Sequence, residues 1–101
     1  MPELYFHVRW PGGETQRCYS PSTVIEDYLA IGGVYELDDF VERSRTALRI
    51  ASDRVREQYG FACTRASGQL ALIEETAGAY ASVGGAKVTV EALYNADGST
   101  R

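Results

Sequence analysis

Apolar residues recur at a helical spacing over one long stretch in the middle of the chain, Asp39 to Tyr59. Residues three and four apart share a face of an α-helix, so this spacing predicts an amphipathic helix with one face against a core and a charged face in solvent. The predicted core face consists of Phe40, Val41, Ser44, Ala47, Leu48, Ala51, Val55 and Tyr59. Asp38 or Asp39 is placed to cap the start, and Gly60 is suited to end the helix in a left-handed conformation.

Alternation of apolar and polar residues predicts strands on both sides of this helix. Leu4 to Trp10 and Lys87 to Leu93 change character at every second residue, as in a strand with one face packed and the other open. In the second of these, Val88, Val90 and Ala92 form the apolar set. Pro11-Gly12-Gly13 predicts a turn into a returning strand, Glu14 to Tyr19. The open face of the first strand then bears Tyr5, His7 and Arg9.

The remaining segments complete a two-layer arrangement. Ser20 precedes Pro21 and predicts the start of a short helix that ends near Leu29, and Val34 to Leu37 is predicted as an extended approach to the main helix. Thr64 to Ala81 has apolar residues at spacings of three and four and predicts a second long helix.

The resulting order, ββ(α)ααβ, predicts an α+β domain. Its sheet has three antiparallel or mixed strands, covered on one face by two long helices and one short helix. We assign residues 1–94 to this one domain and predict a loose tail for residues 95–101, which have almost no apolar side chains.

Composition narrows the function classes. The net charge of −4 and the pI near 4.9 argue against nucleic acid as a partner, because such binding begins with Lys and Arg on phosphates. No apolar run approaches the roughly 20 residues that cross a bilayer, and the first residues do not resemble a signal peptide. We therefore expect a cytoplasmic protein with no membrane partner. The one histidine and two distant cysteines show no metal-ligand spacing, so no metal and no cofactor are implied.

Three residues are candidates for catalysis. Cys63 lies near the start of the second predicted long helix, where the helix dipole lowers the pKa of a thiol. Cys18, at the end of a strand, and His7 are the other two, with Tyr59 as a further neighbour. The alternative is that both cysteines are small buried hydrophobic residues and that His7 is a surface residue.

The charged face of the main helix is a candidate binding surface. Arg45, Arg49 and Arg56 form a stripe there, with Ile50 predicted to be exposed beside them, and partner proteins use arginine next to an exposed aliphatic residue. The alternative is that acidic residues three and four positions away neutralise the stripe. These are Glu42, Asp53 and Glu57.

The open face of the sheet is the second candidate binding surface. Tyr5 and Arg9, with His7 between them, are placed either in solvent or under a partner. A homodimer with a twofold axis on this face is one arrangement that would cover them.

Several short segments together resemble one known family. They are Val8 to Gly12, Cys18 to Ser22, Leu37 to Val41, Ile50 to Val55 and Tyr59 to Cys63. The chain resembles, from Met1 to about Leu93, the small bacterial family called nitrogen starvation response proteins, first named from mycobacteria. The resemblance implies a cytosolic protein that is encoded near a nitrilase, a radical-SAM protein and flavin-dependent oxidoreductases and is linked to nitrogen scavenging. It implies no established reaction and no assigned catalytic residue.

The sequence and the resemblance together favour a binding function over catalysis. We expect a non-catalytic accessory or binding protein of a nitrogen-starvation pathway, which contacts a protein partner or holds a small molecule. The alternatives are a small cysteine-dependent enzyme and a homodimeric domain that binds a small molecule.

Overall fold

A four-stranded antiparallel sheet with two long helices on one face organises the part of the chain that the structure describes. The structure is a computed structural model and describes residues 3–61 and 64–101. The elements are β1 (Leu4–Arg9), β2 (Thr15–Ser20), a 3₁₀ helix (Thr23–Asp27), β3 (Val34–Glu36), α1 (Leu37–Tyr59), α2 (Thr64–Gly78) and β4 (Lys87–Asn95). The strands lie in the order β2-β1-β4-β3.

The predicted α+β class is confirmed, and the predicted number of strands is wrong. The missed strand is β3, which pairs antiparallel with the start of β4. It has three residues, too few to show an alternating pattern, and α1 follows without a break. Every pair in the sheet is antiparallel, so the mixed alternative does not apply.

Helix α1 begins two residues before the predicted start. Glu36 is at its N-cap position and makes no side-chain capping hydrogen bond, so the predicted cap by Asp38 or Asp39 is wrong. The predicted end is confirmed: Gly60 has a φ of 83° and donates its N–H to the Arg56 carbonyl over 2.8 Å. The buried face is Leu37, Phe40, Ser44, Ala47, Leu48 and Ala51. Tyr59, predicted to face the core, is 53% exposed.

The core lies between the helices and one face of the sheet. Leu4, Phe6 and Val8 of β1 are fully buried, as their spacing of two predicts. Trp10 follows them and packs edge-to-face on Phe40 of α1, with ring centroids 5.5 Å apart. This aromatic pair fixes α1 across the end of β1.

A β-bulge in β4 changes which of its residues face the core. His7 pairs with Ala92, but Val8 pairs with Val90, so Glu91 has no opposite residue on β1. The bulge shifts the alternation of buried and outward-facing residues along β4 by one position. Leu93 is therefore buried and Ala92 is not, which corrects the predicted apolar set of this strand.

The outer edge of β2 is covered by α2. Gln69 of α2 accepts a hydrogen bond through its Oε1 from the backbone N–H of Tyr19, 3.0 Å away. This contact satisfies an amide that would otherwise face out from the sheet edge. Helix α2 ends at Gly78, three residues before the predicted end.

The cap of the short helix differs from the sequence prediction. Ser22 caps the 3₁₀ helix by accepting the Val24 N–H, whereas the predicted cap, Ser20, donates its hydroxyl to the Ser22 carbonyl. At the chain end, Arg101 donates its backbone N–H to the Leu93 carbonyl, and Thr100 bridges to Tyr94. These contacts lie along the part of β4 that β3 does not reach. The division into a domain of residues 1–94 and a loose tail stays a prediction.

Candidate functional site

The face of the sheet opposite the helices bears the three predicted residues of β1. Tyr5, His7 and Arg9 alternate with the fully buried residues of the same strand and are half-buried or exposed. The prediction that they lie on the open face is confirmed. We call this surface the open face.

Arginine side chains lie over two tyrosine rings at the β2 side of the open face. Tyr5 and Tyr19 are register partners, and their ring centroids are 5.7 Å apart. The Arg17 guanidinium lies over the Tyr5 ring at 4.0 Å from its centroid. Arg65 of α2 lies over the Tyr19 ring at 3.8 Å and holds it nearly buried. Such cation–π contacts fix the flat side of a guanidinium and leave its edge available for hydrogen bonds.

The bulge in β4 sets the other side of the open face. Because Ala92 is opposite His7, the next outward residue is Tyr94, and its ring meets the imidazole edge-to-face at 5.4 Å. The bulged residue, Glu91, accepts a hydrogen bond from Arg9 Nε at 2.8 Å. Arg9 also donates to the Gly13 carbonyl at 2.6 Å and is thereby held at the hairpin end.

A shallow recess of about 270 Å³ lies between these two sides. It is lined by His7, Arg17, Tyr94 and Gly98. His7 and Arg17 lie opposite each other on β1 and β2, and Gly98 comes from the C-terminal turn. The recess is thus lined by an arginine, a histidine and a tyrosine, whose side chains are of kinds that bind anions and planar molecules.

Of the candidate nucleophiles, Cys18 does not join this site. Cys18 is fully buried, opposite Phe6 on the covered face of the sheet. Burial raises the pKa of the Cys18 thiol from 9.0 to about 12, so the nucleophilic thiolate is scarce at neutral pH. Cys63 lies outside the described residues. Tyr59 is near the end of α1, against Phe61, with ring centroids 6.4 Å apart.

The arginine stripe of α1 is divided between paired and unpaired side chains. Arg45 donates to Glu42 at 2.6 Å and to Glu74 of α2 at 3.2 Å. The hydrogen bond to Glu74, followed by that to Glu42, raises the pKa of the Arg45 guanidinium. The proposed neutralisation by acidic neighbours therefore applies to Arg45.

Arg49 and Arg56 are exposed and line a groove of about 330 Å³ between α1 and α2. Asp53 and Glu74 line the same groove, so its charges balance. Ile50 is half-buried and packs against the core, so the prediction that it is exposed beside the arginines is wrong. The predicted binding surface combined arginines with an exposed aliphatic residue, and Ile50 does not supply the second feature.

Sequence reasoning missed Arg17, Tyr94 and Arg65. Arg17 was within reach, since pairing β1 with β2 through the Pro11-Gly12-Gly13 turn places it opposite His7. Tyr94 could not be placed from the strand pattern, because only the bulge puts it on the open face. Arg65 reaches the sheet from a helix, a contact that no local pattern predicts.

The described residues contain neither a cluster of metal ligands nor a helix suited to a membrane. Within 3–61 and 64–101, no three His, Cys, Asp or Glu side chains cluster as metal ligands would. None of the helices in these ranges combines the length and the apolarity that crossing a bilayer requires.

Comparison with known proteins identifies one family. No curated protein and no solved structure matches the chain. The sequence model of one family, described as nitrogen starvation-induced protein NitG, matches residues 5–93, which include all of β2 and most of β1 and β4. That match covers most of the chain and agrees with the resemblance to nitrogen starvation response proteins. The chain therefore belongs to the nitrogen starvation-induced NitG family.

Proposed function

We propose that this NitG-family protein is a cytoplasmic, non-catalytic binding protein of the nitrogen-starvation response and that it binds through the open face of its sheet. The observation that supports this most is the unequal covering of the sheet. The helices pack on one face, and the other keeps half-exposed His7 and Tyr94 beside exposed Arg17. Uncovered aromatic and arginine side chains are the residue types that contribute most to binding surfaces.

The chemistry of the site supports binding rather than catalysis. A general base needs a partner that orients it. Among the described residues, His7 has no hydrogen-bonded carboxylate, and its neighbours are the Tyr94 ring and its register partner Arg17. The Cys18 thiol, raised in pKa by burial, lies on the other face of the sheet.

The test compares the two candidate binding surfaces in cells. A strain that lacks the gene is complemented with the wild type, with Arg9→Ala/Arg17→Ala on the open face, or with Arg49→Ala/Arg56→Ala on α1. Each double variant removes two exposed arginines, so the changes in net charge are equal. We expect the open-face variant to lose growth on limiting nitrogen and the α1 variant to keep it, at equal protein abundance. Loss only in the α1 variant would place the function in the groove between the helices.

A Cys63→Ala variant in the same strain tests the enzymatic alternative. We expect full complementation, because the proposed function uses no thiol. Loss of growth with normal abundance would favour a cysteine-dependent enzyme. Alkylation at neutral pH gives a second reading, since a catalytic cysteine reacts faster than free cysteine.

Sedimentation at high micromolar concentration tests the homodimer. In a twofold dimer the same surface of each copy forms the interface. On the open face this would bring two Arg17 guanidinium groups into one interface with no acidic partner, so we expect a monomer. A dimer that Arg17→Glu disrupts would show that a second copy covers the open face.

A further inference from the structure

We propose that the recess between His7, Arg17 and Tyr94 binds the carboxylate of a small organic acid. This inference rests on the proposed function, because it assigns a ligand class to the same open face. It follows from three properties of the recess: one available cation, two available polar groups beside an aromatic ring, and a small volume.

Arg17 is the available cation of the open face. The acidic side chains nearby are engaged elsewhere, since Glu91 pairs with Arg9 and Glu3 lies 3.9 Å from Arg65. Across residues 3–61 and 64–101, no carboxylate lies within ion-pair distance of Arg17. Its guanidinium lies over the Tyr5 ring, with Cζ 4.0 Å from the ring centroid. A planar fork fixed in this way is suited to a planar, bidentate carboxylate.

His7 and Tyr94 supply the second property. Their rings are in contact at 5.4 Å, yet neither the imidazole nor the phenol hydroxyl has a hydrogen-bond partner among the described side chains and backbone groups. Both residues line the cavity, and both groups can donate a hydrogen bond. The face of Tyr94 offers a surface for an aromatic or apolar part of the ligand.

The volume and charge of the recess select among anions. At about 270 Å³ it is smaller than the pockets that hold drug-sized ligands, so it suits a molecule of few atoms. One unpaired guanidinium matches a single negative charge, whereas a phosphate group is usually held by several cations or backbone amides. The net charge of −4 for the whole chain further disfavours multiply charged ligands.

The bulge at Glu91 indicates that the recess is a built feature of the sheet. Regular pairing of β4 would put Glu91 opposite His7, and it would put Leu93, which has no hydroxyl, on the open face in place of Tyr94. In the bulged register Glu91 pairs with Arg9, and among the described residues no acid lies within ion-pair distance of Arg17. Bulges occur beside binding sites for this reason, because they redirect a side chain.

The single histidine of the chain provides a direct probe, since every imidazole signal in a proton NMR spectrum comes from His7. Benzoate is the ligand, benzamide is its neutral analogue of the same shape, and inorganic phosphate is the competing anion. We expect benzoate to shift the His7 signals saturably and to bind at least about tenfold more tightly than either of the others, as loss of a charged hydrogen bond predicts. Equal binding of benzamide, tighter binding of phosphate, or no saturable shift would overturn the proposal.

Arg17→Ala and Arg54→Ala are the matched variants. Both remove one exposed arginine, and Arg54 lies on α1 in the helical layer. We expect Arg17→Ala to weaken benzoate binding about tenfold or more and Arg17→Lys to restore part of it, because charge returns without the fork. Arg54→Ala should bind as the wild type does. Wild-type affinity in Arg17→Ala would overturn the assignment.

The binding test and the growth test fail independently. Benzoate binding with full complementation by Arg9→Ala/Arg17→Ala would keep the carboxylate site and reject the proposed function. Absence of benzoate binding with loss of complementation would reject the site and keep the function of the open face.

Discussion

The two faces of the sheet are built from the same strands, and they differ in what their side chains touch. On β1, Phe6 is fully buried against the helical layer, while its neighbours Tyr5 and His7 contact other residues of the open face. Burial of apolar area contributes most of the folding free energy, so the covered face determines stability. The open face contributes less to the folding free energy, so its residues can serve binding without a large loss of stability.

The largest expected difference between the faces comes from truncating one aromatic residue on each. Phe6→Ala removes a fully buried ring and leaves a cavity, and should lower the free energy of unfolding by about 3–5 kcal/mol. Tyr5→Ala loses the contacts with Arg17 and Tyr19 at a solvent-facing position and should cost about 1 kcal/mol. Urea unfolding monitored by circular dichroism gives both values.

If Phe6→Ala and Tyr5→Ala lowered the free energy of unfolding equally, the covered face would not dominate stability. A costly Tyr5→Ala would mean that the arginine and tyrosine layer stabilises the fold. The open-face variants would then have to be interpreted as folding defects.

The second difference concerns the thiol on the covered face. Burial raises the pKa of Cys18 to about 12 from 9.0, so in alkaline solution the unfolded chain releases this proton before the folded chain does. The protonated thiol contributes its full stabilisation of the folded state below pH 9.0 and loses it as the pH rises toward 12. At about 1.4 kcal/mol for each unit of pKa difference, the loss is roughly 4 kcal/mol. Unfolding free energies of the wild type and Cys18→Ala, measured from neutral to alkaline pH, test this.

The difference between wild type and Cys18→Ala should shrink as the pH rises, because the variant has no thiol to ionise at that position. Groups that the two proteins share contribute equally to both free energies and cancel in the difference. A constant difference would show that the Cys18 thiolate is tolerated and that the thiol is accessible to solvent.

The third expected effect is at the edge where α2 covers the sheet. Gln69→Ala leaves the Tyr19 N–H without its 3.0 Å partner and should cost about 1–3 kcal/mol. Gln58→Ala on the exposed side of α1 is the matched control and should change stability by less than about 0.5 kcal/mol. Hydrogen exchange of the Tyr19 amide reports the same contact at one atom. Unchanged exchange in Gln69→Ala would indicate that α2 does not protect the β2 edge.

The sequence predicts the covered face better than the edges of the sheet. Burial of Leu4, Phe6 and Val8 follows from period two, and the end of α1 follows from the conformational freedom of Gly60. Strand β3 stays hidden because its three residues are paired by a contact with β4, distant in sequence. The start of α1 was misplaced because it follows β3 directly and uses no side-chain cap.

The candidate site was predicted in part for a related reason. Tyr5, His7 and Arg9 share a strand, so local alternation places them on one face. Tyr94 requires knowledge of the bulge, and Arg65 requires the docking of α2 on β2. The apolar spacing that predicted Ala92 in the core is regular up to the bulge and out of step beyond it. Long-range pairing decides these positions, and one sequence does not encode it in a local pattern.

The smallest expected effect is loss of the ion pair on the open face. Arg9 Nε and Glu91 Oε2 are 2.8 Å apart, and both side chains are more than a third exposed to solvent. Exposed pairs contribute about 0.2–1 kcal/mol, so Arg9→Ala should lower the free energy of unfolding by no more than this, and less in high salt. Urea unfolding at low and high salt measures the change. A cost near that of Phe6→Ala would mean that the ion pair holds the bulge, and with it the position of Tyr94. If Arg9→Ala lowers the free energy of unfolding only slightly, arginines of the open face can be removed while the protein stays folded. The growth and binding tests depend on this.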